Sequence, residues 1–187
     1  PSQQIPTTDW ELTHLTKKGI RRIFEIKSRV YGKPLLVLIS SKDQINKLTR
    51  DRSQEAELLI KKLWPAPITL IFHAVPKLPN ILTSNTGKVG IRLPKNKWTL
   101  HLIQTIGCAL TATSANKKGE KNPRTAREVL NSFKNDIDLI IDPGPAPGGK
   151  VSTLLDTTIS PPSILRHGAI SQNEIDSCII NERTLVP

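Results

Sequence analysis

The sequence predicts an α/β or α+β domain built around a twisted, mixed sheet, and three observations predict it. Apolar runs of strand length recur, among them PLLVLIS (34–40), ITLIFHAV (68–75) and DLIIDPG (138–144). Segments of helical periodicity, such as EAELLIKKLWP (55–65), stand between them. The two kinds of segment mix without strict alternation, so neither an all-helical bundle nor a uniform strand–helix repeat accounts for them. A chain of 187 residues has the length of one domain and can bury a real core.

The elements follow in order. GIRRIFEIKSR (19–29) sets Ile20, Ile23, Phe24 and Ile26 near helical spacing with basic residues between, an amphipathic helix with a solvated basic face. PLLVLIS, rich in branched side chains, reads as a buried strand. SKDQINKL (41–48) reads as a helix opened by a Ser or Asp cap. The helix in 55–65 stops at Pro65, which has no N–H to donate. ITLIFHAV is the second strand, and VGIRLP (89–94) is a short third strand with Arg92 inside it. WTLHLIQTIG (98–107) is a helix closed by a Gly cap. CALTATS (108–114) is a fourth strand, TAREVLNSF (125–133) a helix, and DLIIDPG a fifth strand. STLLDTT (152–158) and SILRHGA (163–169) are further strands, and SQNEIDSCI (171–179) is a closing helix. There is no internal repeat and no low-complexity tract.

Composition narrows the function classes. Hydrophobic residues make up 37% and aromatics 4%, so the core is mostly Ile, Leu, Val and Ala. A net charge of +11 suits a polyanionic partner (nucleotide, nucleic acid or an anionic membrane face), and it equally suits a Lys-rich solubilising surface. Cys108 and Cys178 lack CxxC spacing and read as reduced, buried thiols of an intracellular protein. Neither has a second Cys or a His at zinc-ligand spacing, and His14, His73, His101 and His167 are scattered. No apolar run approaches the length of a membrane span, and no signal peptide is visible in a chain that starts at Pro1. No Ser–His–Asp or Cys–His set can be argued from residue order, and no H-E-x-x-H is present.

Polar residues gather where strands end. LTATSANKKGE (110–120) leaves an apolar strand and at once presents Thr113, Ser114, Asn116 and two lysines. Lys27, Arg29 and Lys33 bracket the first strand, Arg92 lies in the third, Ser152 and Thr153 open a late strand, and Arg166 lies in the next. Ligands of open α/β sheets bind at strand ends. Several cations with small hydroxyls suit a polyphosphate, since Arg grips oxygens bidentately and Lys acts as a point charge. Each piece alone also has a plain structural reading: Arg92 as a sheet-edge arginine, Ser152 as a strand start, Lys27 and Arg29 as a solvated helix end, TSAN as turn chemistry. DPGPAPGGK (142–150) lacks GxxxxGK[ST] spacing, and its prolines remove amide donors, so it is a loop that either covers a ligand or does not.

Taken together, six segments in order resemble the YrdC/Sua5/TsaC family of threonylcarbamoyl-AMP synthases. They are IFEIKSR with KPLLVLIS, WPAPITLIF, VGIRLP, LTATSANKKGE (similar to "TSANxSGe"), DPGPAPGGKVSTLLD and ILRHGAI, spanning about residues 20–170. The resemblance implies a single YrdC-like domain over 1–187: a twisted, mostly parallel mixed sheet flanked by helices, with a basic concave cleft. It implies a nucleotidyltransferase that makes threonylcarbamoyl-AMP and pyrophosphate from L-threonine, bicarbonate and ATP with Mg²⁺. Partner proteins of a t6A transferase complex would then modify adenosine 37 of tRNA, in the cytoplasm or an organelle. By the same resemblance, Lys27, Arg29, Lys33, Asn116, Asn122 and Arg166 serve ATP, while Thr7, Arg92, Ser114 and Ser152 serve threonine.

The sequence also departs from that pattern. The family opens with "hxxPTxTvYGLg", whereas IPTTDWELTH (5–14) keeps Pro6 and Thr7 without the Tyr-Gly-Leu core, and the strand expected before it is incomplete. Lys118 stands where the family commonly has Ser. The chain ends soon after Arg166, as in the short form of the family. The chief alternative is a YrdC-like module that binds double-stranded RNA or tRNA without synthesis. A hydrogenase-maturation carbamoyltransferase would normally add zinc-finger and acylphosphatase-like segments.

Overall fold

The computed structural model describes residues 15–28, 32–146 and 148–183, with side chains through residue 180. Its centre is a six-stranded sheet in the order β4-β1-β3-β2-β5-β6. The strands are β1 (Leu36–Leu38), β2 (Ile68–His73), β3 (Lys88–Arg92), β4 (Leu110–Ala112), β5 (Thr153–Asp156) and β6 (Ser163–Arg166). The helices are α1 (Lys17–Ile26), α2 (Gln54–Leu63), α3 (Asn80–Thr83), α4 (Lys97–Ile106), α5 (Ala126–Phe133) and α6 (Gln172–Arg183). The expected α/β class and mixed sheet are present. The sheet is not mostly parallel, however. β1–β3 and β2–β5 are parallel, while β1–β4, β2–β3 and β5–β6 are antiparallel.

Strand alternation divides the sheet into two unlike faces. Val37, Leu70, Phe72, Val89, Ile91 and Leu155 point to one side and join one hydrophobic cluster with Ile20 and Phe24 of α1, Ala56 and Leu59 of α2, Leu82 of α3 and Ile175 of α6. The other face carries Leu36, Leu38, Thr69, Ile71, Gly90, Arg92, Leu110, Ala112 and Leu154, most of them half-buried. That face supplies the floor of the candidate site.

Local chemistry sets the helix starts. Thr16, Ser53, Asn96 and Thr125 each accept a backbone N–H three residues on, and Gly107 closes α4 at φ 77°. Ser171 and Glu174 cap α6 reciprocally.

Several sequence expectations are corrected. Residues 138–144 form no strand: no ladder partner reaches them among the described residues, and Leu139 and Ile141 are 75% and 55% exposed. An apolar run becomes a strand only where another edge supplies its hydrogen bonds. Instead, Asp142 turns the chain by accepting from Gly144 N at 2.9 Å. The segment 41–48 forms a 3₁₀ helix over Lys42–Lys47 rather than an α-helix, and the expected Ser41 cap makes no side-chain capping bond. The late strand 163–169 stops at Arg166, because residues 168 and 169 turn to lie against Val151. Cys108 is buried, but Cys178 is only partly so, and neither forms a disulfide.

Candidate functional site

The residues singled out from the sequence fall into two groups, one at each end of the open face. Arg92 ends β3 and is level with Leu38 of β1, which is level with Leu110 of β4. Extending the β2–β3 register one step beyond Leu70↔Ile91 sets Thr69 opposite Arg92, and Leu154 of β5 pairs with both Thr69 and Arg166. One row across the sheet therefore runs Arg166, Leu154, Thr69, Arg92. Ser114 lies two residues past the end of β4, in the loop that leaves the strand on the side away from Leu110.

At the first end, Arg166 grips the start of β5. Its Nη2 donates to Ser152 O at 2.8 Å and to Ser152 Oγ at 3.1 Å, and its Nε donates to Ser152 O at 3.2 Å. The Thr69 and Ser152 hydroxyls lie 3.3 Å apart. Thr69, Gly90 and Arg92 share the open face, and Arg92 Nε is buried without a hydrogen-bond partner. Burial lowers the Arg92 pKa from its ordinary value, yet a guanidinium remains charged at any working pH. A half-buried cation with an orphaned donor is costly unless an anion completes it. Gly168 makes the arrangement possible. A Cβ there would stand 2.4 Å from Thr153 N and Val151 O and 2.5 Å from Ser152 C, so only glycine lets 166–169 lie directly on 151–153.

At the second end, Lys27 caps α1 and is 8% exposed. Its ammonium donates to Ser114 O, to Asn116 O at 2.6 Å and toward Ser114 Oγ at 3.4 Å. Lys27 therefore pins the loop that leaves β4. Asn116 Nδ2 closes the same loop by donating to Glu120 O at 2.7 Å, and Lys117 pairs with Asp136 at 3.2 Å. Lys33 is exposed just ahead of β1, at the same end. Asn122 is exposed in the loop before α5. Arg29 and Thr7 lie outside the described residues.

Ser114, assigned to threonine with Arg92, stands with Lys27 and Asn116; Arg166, assigned to ATP, stands with Ser152. Sequence reasoning missed Thr69. Its only signal was a hydroxyl inside the apolar run ITLIFH. It also missed Asp156, which is 7% exposed on the open face and accepts from Lys88 Nζ at 2.9 Å and from Thr158. Burial alone would raise the Asp156 pKa, but those bonds and the Lys88 charge together hold it below its ordinary value.

The model of the Sua5/YciO/YrdC family, described as "telomere recombination", matches residues 12–168. The chain belongs to this family. Two relatives named threonylcarbamoyl-AMP synthase set the level of similarity. That of Pyrococcus abyssi is 35% identical over 165 residues, 88% of this chain and 48% of the relative. That of Bacillus subtilis is 34% identical over 162 residues, 86% and 47%. The chain thus spans about half the length of these curated relatives. The crystal structure of P. abyssi Sua5 complexed with L-threonine superposes with a TM-score of 0.84 at 35% identity, covering 89% of this chain and 49% of that one. Escherichia coli YciO, at 22% identity and a TM-score of 0.76, shares the fold. No described helix of this Sua5/YciO/YrdC member is long and apolar enough to cross a membrane.

Proposed function

We propose that this domain catalyses the synthesis of threonylcarbamoyl-AMP from L-threonine, bicarbonate and ATP. The observation that carries the reading is the half-buried Arg92, with its Nε buried. Its Nε lacks a partner, and it lies level with Thr69, whose hydroxyl is 3.3 Å from that of Ser152, in a chain 35% identical to a threonylcarbamoyl-AMP synthase. Arg92 receives the amino-acid carboxylate, with Ser152 beside it. Lys27, through Ser114 and Asn116, shapes the nucleotide end, with Lys33 and Arg29 contributing charge toward the phosphates. Asn122 and Arg166 complete the nucleotide set, Arg166 acting also through Ser152.

The chemistry asks mainly for charge control. Bicarbonate takes up a proton and loses water to give CO₂; the threonine nitrogen bonds to its carbon and loses a proton, giving a carbamate. A carbamate oxygen then attacks the α-phosphorus, and the bond to the β-phosphate oxygen breaks to release pyrophosphate. Two anions must approach, so fixed cations lower the barrier by preorganised electrostatics rather than by covalent help. Among the described residues no group of three His, Cys, Asp or Glu could hold a metal, and Asp156 is already committed to Lys88 and Thr158. A Mg²⁺ ion would be carried largely by the triphosphate, as such ions usually are. The product would pass to proteins that modify adenosine 37 of tRNA.

The test is pyrophosphate release by the full-length protein. The reading expects release that requires ATP, L-threonine and bicarbonate together and that Arg92→Ala abolishes. A folded protein that binds RNA and releases no pyrophosphate would overturn it in favour of the binding module.

A further inference from the structure

We infer that Thr69 is a specificity-determining residue whose hydroxyl hydrogen-bonds the side-chain oxygen of the amino-acid substrate. The inference rests on the proposed function and extends it to a residue outside the expected set. Thr69 is 3% exposed and sits between Arg92 and Leu154 in the row across the open face. Its rotamer is indicated by two neighbours. A Cβ on Gly90 would stand 3.3 Å from Thr69 Cγ2, so the methyl leans over Gly90. The hydroxyl turns the other way, to Ser152 Oγ at 3.3 Å.

Ser152 Oγ accepts from Arg166 Nη2 at 3.1 Å, and either hydroxyl of the Ser152–Thr69 pair can be the donor in the 3.3 Å contact between them. With Ser152 donating, the Thr69 hydrogen is available to an acceptor on a ligand, and a pair polarised by the guanidinium favours that arrangement when such an acceptor arrives. Directly opposite pairs in a sheet hold their Cβ atoms about 5 Å apart. The Thr69 donor thus stands within a short amino acid's reach of the Arg92 guanidinium. A carboxylate on Arg92 and a β-oxygen on Thr69 form a two-point grip that an aliphatic side chain leaves half-made. A buried donor left unpaired is what makes such a site reject the analogue lacking the oxygen.

Calorimetry with the full-length protein tests this, using L-threonine and L-2-aminobutyrate, which lacks the hydroxyl. The wild type is expected to prefer threonine by roughly tenfold or more. Thr69→Val should weaken threonine roughly tenfold and leave 2-aminobutyrate and an ATP analogue unchanged. Thr69→Ser should restore the preference. Should Thr69→Val not fold, Thr69→Ala carries the same expectation. Binding of neither amino acid to the wild type would overturn both this inference and the proposed function. A threonine preference that survives loss of the Thr69 hydroxyl would overturn this inference alone.

Discussion

Replacing Gly168 by alanine adds a single methyl at the most crowded point of the site. That carbon would stand 2.4 Å from Thr153 N and from Val151 O, and 2.5 Å from Ser152 C. Ordinary van der Waals contact begins near 3.4 Å, so the two segments must part by about 1 Å. All three contacting atoms are backbone, so no side chain can swing away. Separation stretches the Ala169 N–Val151 O bond of 2.9 Å and the paired Thr153–Ile170 bonds of 2.6 and 3.0 Å. Overpacking strain of about 1–3 kcal/mol and the loss of one or two hydrogen bonds near 1 kcal/mol each point to about 3 kcal/mol of destabilisation. For a domain of this size that lowers Tm by roughly 6–12 °C. Because Arg166 and Ser152 lie in the two segments that separate, threonine affinity should fall as well. Thermal melts and urea titrations of Gly168→Ala, followed by threonine calorimetry below Tm, measure both. A variant that melts within 2 °C or so of the wild type would refute the close-contact argument, since that is under about 1 kcal/mol.

Other substitutions probe the remaining pieces. Lys27→Met keeps the buried stem and removes the ammonium, leaving the Ser114 and Asn116 carbonyls to water; a loss of about 1–2 kcal/mol in urea stability is expected, with ATP-analogue binding weakened more than threonine binding. Equal losses for both ligands would argue against its assignment to the nucleotide end. Asp156 has a folded-state pKa below its unfolded value, so its stabilisation is present above pH 4 or so and is lost as pH falls through the lower, folded value. The urea-stability gap between wild type and Asp156→Asn should therefore be steady from pH 7 to 5 and shrink below pH 4. A gap that widens on acidification would contradict the sign.

How much was legible depended on whether the signal was local. The helices of 55–65 and 98–107 could be read from periodicity, with Pro65 and Gly107 as stops, because capping and propensity act within a few residues. Strands were legible only as apolar runs, and a run does not say whether another edge will meet it. ITLIFH found β3 on one side and β5 on the other, whereas DLIID found neither. Arg92, Ser114 and Arg166 stood out as polar residues at strand ends, but which of them share an end is set by register, and register lies in pairings far apart in sequence. Thr69 was hidden because a threonine is an ordinary strand residue. Only its neighbours Ser152, 83 positions away, and Arg92 give its hydroxyl a use.

The most direct measurement is titration calorimetry of L-threonine into the full-length protein and into Arg92→Gln. If the guanidinium whose buried Nε lacks a partner receives the substrate's carboxylate, the wild type will bind and the variant will lose about 2 kcal/mol or more, while both bind an ATP analogue equally. Equal threonine affinity in the two proteins would contradict the account.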